Sequence, residues 1–200
     1  MQKEIEHSFF VADELRVADS ENRLIGHAAV FNSVADLGFF REQIAPGAFA
    51  ASINEDDVRA LFNHDPNQVL GRNRSGTLKM KEDARGLAVD IQLPDTQNAR
   101  DVMALIKRGD VSQMSFAFRT IEEDVDRSNP NGTLRTLKRV RLFDVSPVVF
   151  PAYSDTDIQV KMRSMEASRP RETETARRYI SIASRRLEQL EAECRFASAL

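Results

Sequence analysis

His64 stands in Leu61-Phe62-Asn63-His64-Asp65-Pro66, a short polar interruption directly after an apolar run. Ser115 stands inside Val111-Ser112-Gln113-Met114-Ser115-Phe116-Ala117-Phe118, whose alternation otherwise reads as a buried strand. A histidine and a serine far apart in sequence, each at an odd place in a β pattern, are what Ser-His hydrolysis requires. The sequence holds three histidines, His7, His27 and His64, so candidate bases are few. Asn63, Asp65 and Pro66 mark an exposed break around His64, and functional side chains favour such loops on rigid scaffolds. An imidazole titrates near neutrality and can both take and return a proton. His27, within Gly26-His27-Ala28-Ala29-Val30, reads as a half-buried packing residue, and His7 as part of a frayed start.

Two serines compete for the nucleophile. Ser112 follows a helix stop, where capping a turn is an ordinary duty. Ser115 alternates with Met114, Phe116 and Phe118, so its side chain faces away from theirs. It is preferred, because its strand would hold the hydroxyl rigidly with a neighbouring backbone N–H available to an oxyanion. Asp144 is the candidate for a third group. By parity it shares a face with Val140 and Leu142, and a carboxylate on an apolar face needs a partner. That partner is either an arginine or the His64 ring. Asp65 ranks lower, since a residue adjacent to His64 points away from its ring.

These residues need elements to position them. Ser8 to Val17 and Arg23 to Phe31 read as strands, and Pro46 to Ile53 as a short helix with proline near its start. Val58 to Phe62 is a brief apolar run. Thr77 to Lys81 and Leu87 to Leu93 flank Asp83-Ala84-Arg85-Gly86 as a hairpin. The clearest helix follows: Asp95 or Thr96 caps it, Ala99, Val102, Met103, Leu105 and Ile106 form its stripe, and Lys107-Arg108-Gly109 ends it. Val111 to Ile121 reads as a strand, and Leu134 to Phe150 as one long strand or two. This pattern predicts an α+β fold, a β-barrel or sandwich with attached helices.

Near residue 165 the chain changes character. Residues 1–165 form the predicted domain; residues 166–200 hold a charged linker, Arg169 to Glu174, and an amphipathic helix from Ala176 to Leu200. Such a helix packs on the domain, stays partly disordered, docks to a partner or is removed later. The net charge of −3, from 28 basic and 31 acidic residues, demands no nucleic-acid partner. No apolar window reaches the ~18 residues of a membrane helix. The start of the chain lacks an apolar signal core, and a lone Cys194 makes no disulfide framework or cysteine zinc site. An intracellular protein is expected.

Five blocks then stand in a telling order: Ile44-Ala45-Pro46-Gly47-Ala48-Phe49; Leu61 to Asp65; Gly109-Asp110-Val111-Ser112-Gln113-Met114-Ser115-Phe116; Phe143-Asp144-Val145-Ser146-Pro147-Val148; and Phe150-Pro151-Ala152. Together they cover about residues 20 to 160, and the chain resembles the prohead maturation proteases of tailed bacteriophages. The resemblance implies a serine protease, distantly similar to the herpesvirus assemblins, on a mainly antiparallel β-barrel flanked by helices. His64 and Ser115 match the family's histidine and serine. Assemblins place a second histidine third; no histidine follows His64 here, and Asp144 is the substitute. The resemblance further implies a substrate, the scaffold or the scaffolding part of the major capsid protein, along with self-cleavage and a site of action inside the prohead in the host cytoplasm. It implies no cofactor, metal, nucleic acid or membrane partner, and suggests a homodimer. The last helix would then package the protease with the scaffold. An assisting arginine is not singled out among Arg72, Arg74, Arg119 and Arg141. Two rival readings are a non-catalytic assembly scaffold and a metal-dependent hydrolase built on His64 and Asp65.

Overall fold

The computed structural model describes residues 4–7, 15–18, 22–38 and 40–150. The expected C-terminal helix and most of the expected first strand lie outside the described residues. In chain order the elements are β1 (Glu6–His7), β2 (Arg16–Val17), β3 (Arg23–Val30), β4 (Ala35–Asp36), β5 (Arg41–Ile44), α1 (Ala50–Glu55), β6 (Arg59–Phe62) and β7 (Asp65–Arg72). A short 3-10 turn, Asn73–Ser75, leads to β8 (Leu78–Glu82), β9 (Gly86–Gln92), α2 (Gln97–Arg108), β10 (Gln113–Asp126) and β11 (Leu134–Val148).

Two sheets result. The smaller is antiparallel, in the order β2-β3-β9-β8. Its two inner strands meet tightly at one end: a Cβ on Gly86 would lie 1.9 Å from the Ala29 carbonyl oxygen, so only glycine lets β9 approach β3 there. The larger sheet runs β1-β10-β11-β5-β4, and β6 with β7 joins the later part of β11. The expected strand-rich, helix-poor fold is present, but the expected closed barrel is not, among the described residues. The reason lies in β11, which spends one edge on β10 and divides the other between two short parallel partners. β5 takes Leu134 to Leu137, and β6 takes Asp144 and Val145. A sheet that forks this way leaves β4 and β7 as separate edges instead of curling round to a single seam.

One core lies between the sheets and α2. The expected cap of α2 is Thr96, whose Oγ1 accepts from the Ala99 N–H at 3.3 Å, and Gly109 ends the helix at φ 85°. Ala99, Val102 and Ile106 turn inward. Phe49 meets Phe116 edge to face at 5.2 Å, and Phe116 meets Phe118 at 5.1 Å. Those two rings of β10 fix which face of that strand is apolar, and therefore where Ser115 faces.

A charged cluster is also buried. The Arg135 guanidinium, fully buried, donates to Glu6 at 2.6 Å, Glu42 at 2.8 Å and Glu123 at 2.6 Å. Its Nη2 also donates to Thr120 Oγ1 at 2.8 Å, and that hydroxyl donates to Glu6 at 2.7 Å. Burial opposes the arginine's charge, but Glu42, Glu6 and Glu123 outweigh it and hold the group above its ordinary value.

Candidate active site

Ser115 is set by β10. Met114, Phe116 and Phe118 belong to the core, which leaves Ser115 on the other face, opposite Ser146 of β11. Ser112 lies before the strand and is exposed. His64 is set by a turn. Phe62 pairs with Asp65, so Asn63 and His64 alone connect β6 to β7. Both have positive φ, 53° and 58°, the signature of a type I′ hairpin turn. A non-glycine residue there costs about 1–2 kcal/mol. Hydrogen bonds to the end of β11 offset it: the Asn63 N–H donates to the Pro147 carbonyl at 3.0 Å, and the Val149 N–H donates to Asn63 Oδ1 at 2.9 Å. The turn is thereby pinned over the strand that carries Asp144.

Asp144 reaches its place by a device that parity alone misses. Phe116 pairs with Val145 and Ala117 with Asp144, yet Phe118 pairs with Leu142, so Phe143 is an extra residue on β11. This bulge puts Leu142 and Val145 on the same apolar face and turns Asp144 to the face of Ser115. The expectation that Asp144 shares a face with Val140 and Leu142 is corrected accordingly.

The three side chains meet. His64 Nδ1 lies 2.6 Å from Asp144 Oδ1, and His64 Nε2 lies 2.9 Å from Ser115 Oγ. A carboxylate only accepts, so the Nδ1–H donates to it and Nε2 is left to accept the serine O–H. Ser146 Oγ donates to the same Asp144 oxygen at 2.6 Å. Of the two partners open to Asp144, histidine or arginine, the geometry selects histidine. The His64 and Asp144 side chains keep 15% and 10% of their surface exposed, whereas Ser115 has none.

A model of the family described as caudovirus prohead serine protease matches residues 11–170. The chain belongs to that family. Its members are proteases of the phage prohead, as the description says. Among solved structures, the bacteriophage T4 capsid assembly protease gp21 is 12% identical at a TM-score of 0.46, covering 72% of this chain and 96% of its own. A comparison with curated proteins returns no match.

The remaining candidates of the family member fall elsewhere. Asp65 accepts from the Asn67 N–H at 2.8 Å and from Gln68 at 3.2 Å, and the Asn67 backbone bond holds its carboxyl below the usual range. It braces the turn and leaves the His64 ring alone. His27 lies on the smaller sheet, 3.0 Å from Asp83. Arg72 pairs with Asp57 at 2.7 Å, a bond that leads in holding that carboxyl down to about 2. Arg141 reaches Asp56 at 3.3 Å, Arg119 lies over the Phe143 ring at 5.3 Å, and Arg74 is exposed. Among the described residues no group of three His, Cys, Asp or Glu is placed to hold a metal ion, and no helix is long and apolar enough to cross a membrane.

Two residues at the site were missed by sequence reasoning, Ser146 and His7, and Asn63 was read only as part of the break around His64. Ser146 stands two residues beyond Asp144, a spacing that puts both on one face of a strand. Asn63 carried a signal, since an Asn-led pair between two strand-like runs suits a turn with positive φ. His7, dismissed as frayed, forms β1 and brings its ring to 4.5 Å from that of His64, centre to centre. Nothing local announces that contact.

Proposed function

We propose that this family member is a serine endopeptidase in which Ser115 attacks, His64 carries the proton and Asp144 orients His64. The single observation that supports it most is the unbroken chain of contacts from Asp144 Oδ1 to His64 Nδ1 and from His64 Nε2 to Ser115 Oγ, at 2.6 and 2.9 Å. Ser115 Oγ adds to a peptide carbonyl while its proton passes to His64 Nε2. Backbone N–H groups near the serine meet the tetrahedral oxyanion. His64 returns the proton to the leaving amine, and a water molecule repeats the sequence to release the acyl group. Asp144, braced by Ser146, keeps the ring in the tautomer that can accept.

The substrate in this reading is the scaffold, or the scaffolding part of the major capsid protein, together with the protease itself, inside the newly assembled prohead. The family description supports the setting. Residues 166–200 would carry the enzyme in with the scaffold, as their amphipathic pattern suggests; removing them should lower the protease content of proheads. The deciding experiment co-expresses the chain with the capsid and scaffold proteins of the same phage and follows their sizes. Cleavage is expected with the natural chain and none with Ser115→Ala or His64→Ala. Normal maturation with Ser115→Ala would instead favour a non-catalytic assembly scaffold.

A further inference from the structure

We infer that His7 is a positioning residue for His64, and that β1 belongs to the active site because burial of Glu6 on Arg135 holds it there. The inference rests on the catalytic reading of Ser115, His64 and Asp144.

β1 is two residues long, and its two side chains go to opposite faces, as strand geometry requires. Glu6 pairs in register with Phe118 and His7 with Ala117. Ala117 in turn pairs with Asp144, so His7, Ala117 and Asp144 form one row across three strands. Ser115 lies two residues from Ala117, on the same face of β10. At the end of this row the half-buried His7 ring leans on the His64 ring, with centroids 4.5 Å apart and planes at 54°.

His64 needs this support. Its backbone sits in a two-residue turn, and its ring has to satisfy Asp144 and Ser115 through opposite nitrogens. Rotation about the line joining those two contacts is opposed only by what touches the faces of the ring. The His7 ring occupies one face.

The other half of β1 supplies the anchor. Two residues of ladder cannot hold a strand by themselves. Glu6, however, is completely buried, and its carboxylate takes bonds from Arg135 at 2.6 and 3.1 Å and from Thr120 at 2.7 Å. A carboxylate so placed leaves its site only by giving up two bonds from Arg135 and one from the Thr120 hydroxyl at a buried position. The strand is thus fixed on one face by charge and delivers a ring to the catalytic histidine on the other.

The test uses the purified full chain, with cleavage of the scaffold or capsid protein of the same phage followed over a range of substrate concentrations. His7→Ala is expected to lower kcat roughly 10- to 100-fold with KM within about 2-fold, the scale on which a misplaced catalytic group costs rate. His7→Phe, which keeps a ring against His64, should recover kcat to within about 5-fold of the natural chain. Glu6→Ala should reproduce the kcat loss although it lies on the far face. Natural rates with His7→Ala overturn the inference, and so does a rate increase, which would make β1 a cover over Ser115. If His7→Ala fails to fold, His7→Phe decides, and a loss beyond 10-fold there overturns the inference. Ser115→Ala separates the two layers: if it still cleaves, the catalytic reading falls and this inference with it. If it is dead while His7→Ala is unchanged, only the inference falls.

Discussion

Among the described residues two histidine–aspartate pairs stand out, one on each sheet. On the smaller sheet His27 Nε2 lies 3.0 Å from Asp83; on the larger, His64 Nδ1 lies 2.6 Å from Asp144. Taken alone, each pair has the components of a polarised imidazole. What differs is the company each aspartate keeps. Asp83 also accepts the backbone N–H groups of Arg85 and Gly86, at 2.9 and 3.0 Å, so its carboxylate builds the β8–β9 turn. Among the described residues the donors to Asp144 are the side chains of His64 and Ser146. The His64 ring then presents its second nitrogen to a serine hydroxyl. The pair on the larger sheet is the candidate catalytic device because the far nitrogen of its histidine faces a serine hydroxyl.

The largest effects should follow from removing the nucleophile or the base. Ser115→Ala and His64→Ala are each expected to lower kcat by about 10⁶, as removal of either member of a serine–histidine unit does elsewhere. Asp144→Asn should cost about 10⁴, because the amide favours the wrong tautomer of His64. Thermal melts should show all three variants folded. His27→Ala, by contrast, should leave the cleavage rate within about 2-fold. A comparable loss of rate on the smaller sheet would erase the distinction between the pairs.

Smaller effects should come from the turn that holds His64. Asn63→Ala places a Cβ-bearing residue with no local hydrogen bond at φ 53° and removes the acceptor for the Val149 N–H. A loss of about 1–2 kcal/mol in hairpin stability is expected. Cleavage should slow by roughly 10-fold, as the ring drifts from its two contacts. Asn63→Gly should recover the stability lost to backbone strain but not the bond to Val149. It should fall between Asn63→Ala and the natural chain when urea midpoints and rates are compared.

Which parts of this were legible in the sequence follows from what each part depends on. The cap and stop of α2, the β8–β9 hairpin and the alternation of Met114, Phe116 and Phe118 depend on near neighbours, and the pattern displays them. His64 and Ser115 stood out for the same reason, as polar residues where local patterning did not ask for them. The strand β7 was hidden because Pro66 demotes a strand, and here it is accommodated on an edge. Asp144 does meet His64, but not for the reason the pattern offered: the Phe143 bulge, set by pairing with a distant strand, reverses the parity beyond it. The open, forked sheet and the meeting of His7 with His64 are long-range outcomes of the same kind. They arise from which strands share β11 and from a buried ion cluster whose members come from four separate strands.

The smallest effect, and the one that probes the pair on the smaller sheet most directly, is the pH dependence of Asp83. The Gly86 N–H first, then the His27 side chain and the Arg85 N–H, hold its carboxyl down to about 2 from an ordinary 3.8. A carboxyl whose value is depressed by folding contributes stability above its unfolded value and loses it as pH falls toward the folded value. The window here runs from about pH 4 to about pH 2. Asp83→Asn removes the contribution, so it should be modestly less stable than the natural chain at pH 5. The gap in urea midpoint should then close as the pH is lowered through that window, because the natural chain loses the same advantage by protonation. Asp83 is partly exposed, so solvent screening keeps the effect small, and Asp57, held down by Arg72, still titrates in both proteins. Cleavage at neutral pH should be unchanged. If Asp83→Asn instead lowered kcat more than about 3-fold while the melts stayed level, the turn of the smaller sheet would be tied to the chemistry of the larger one.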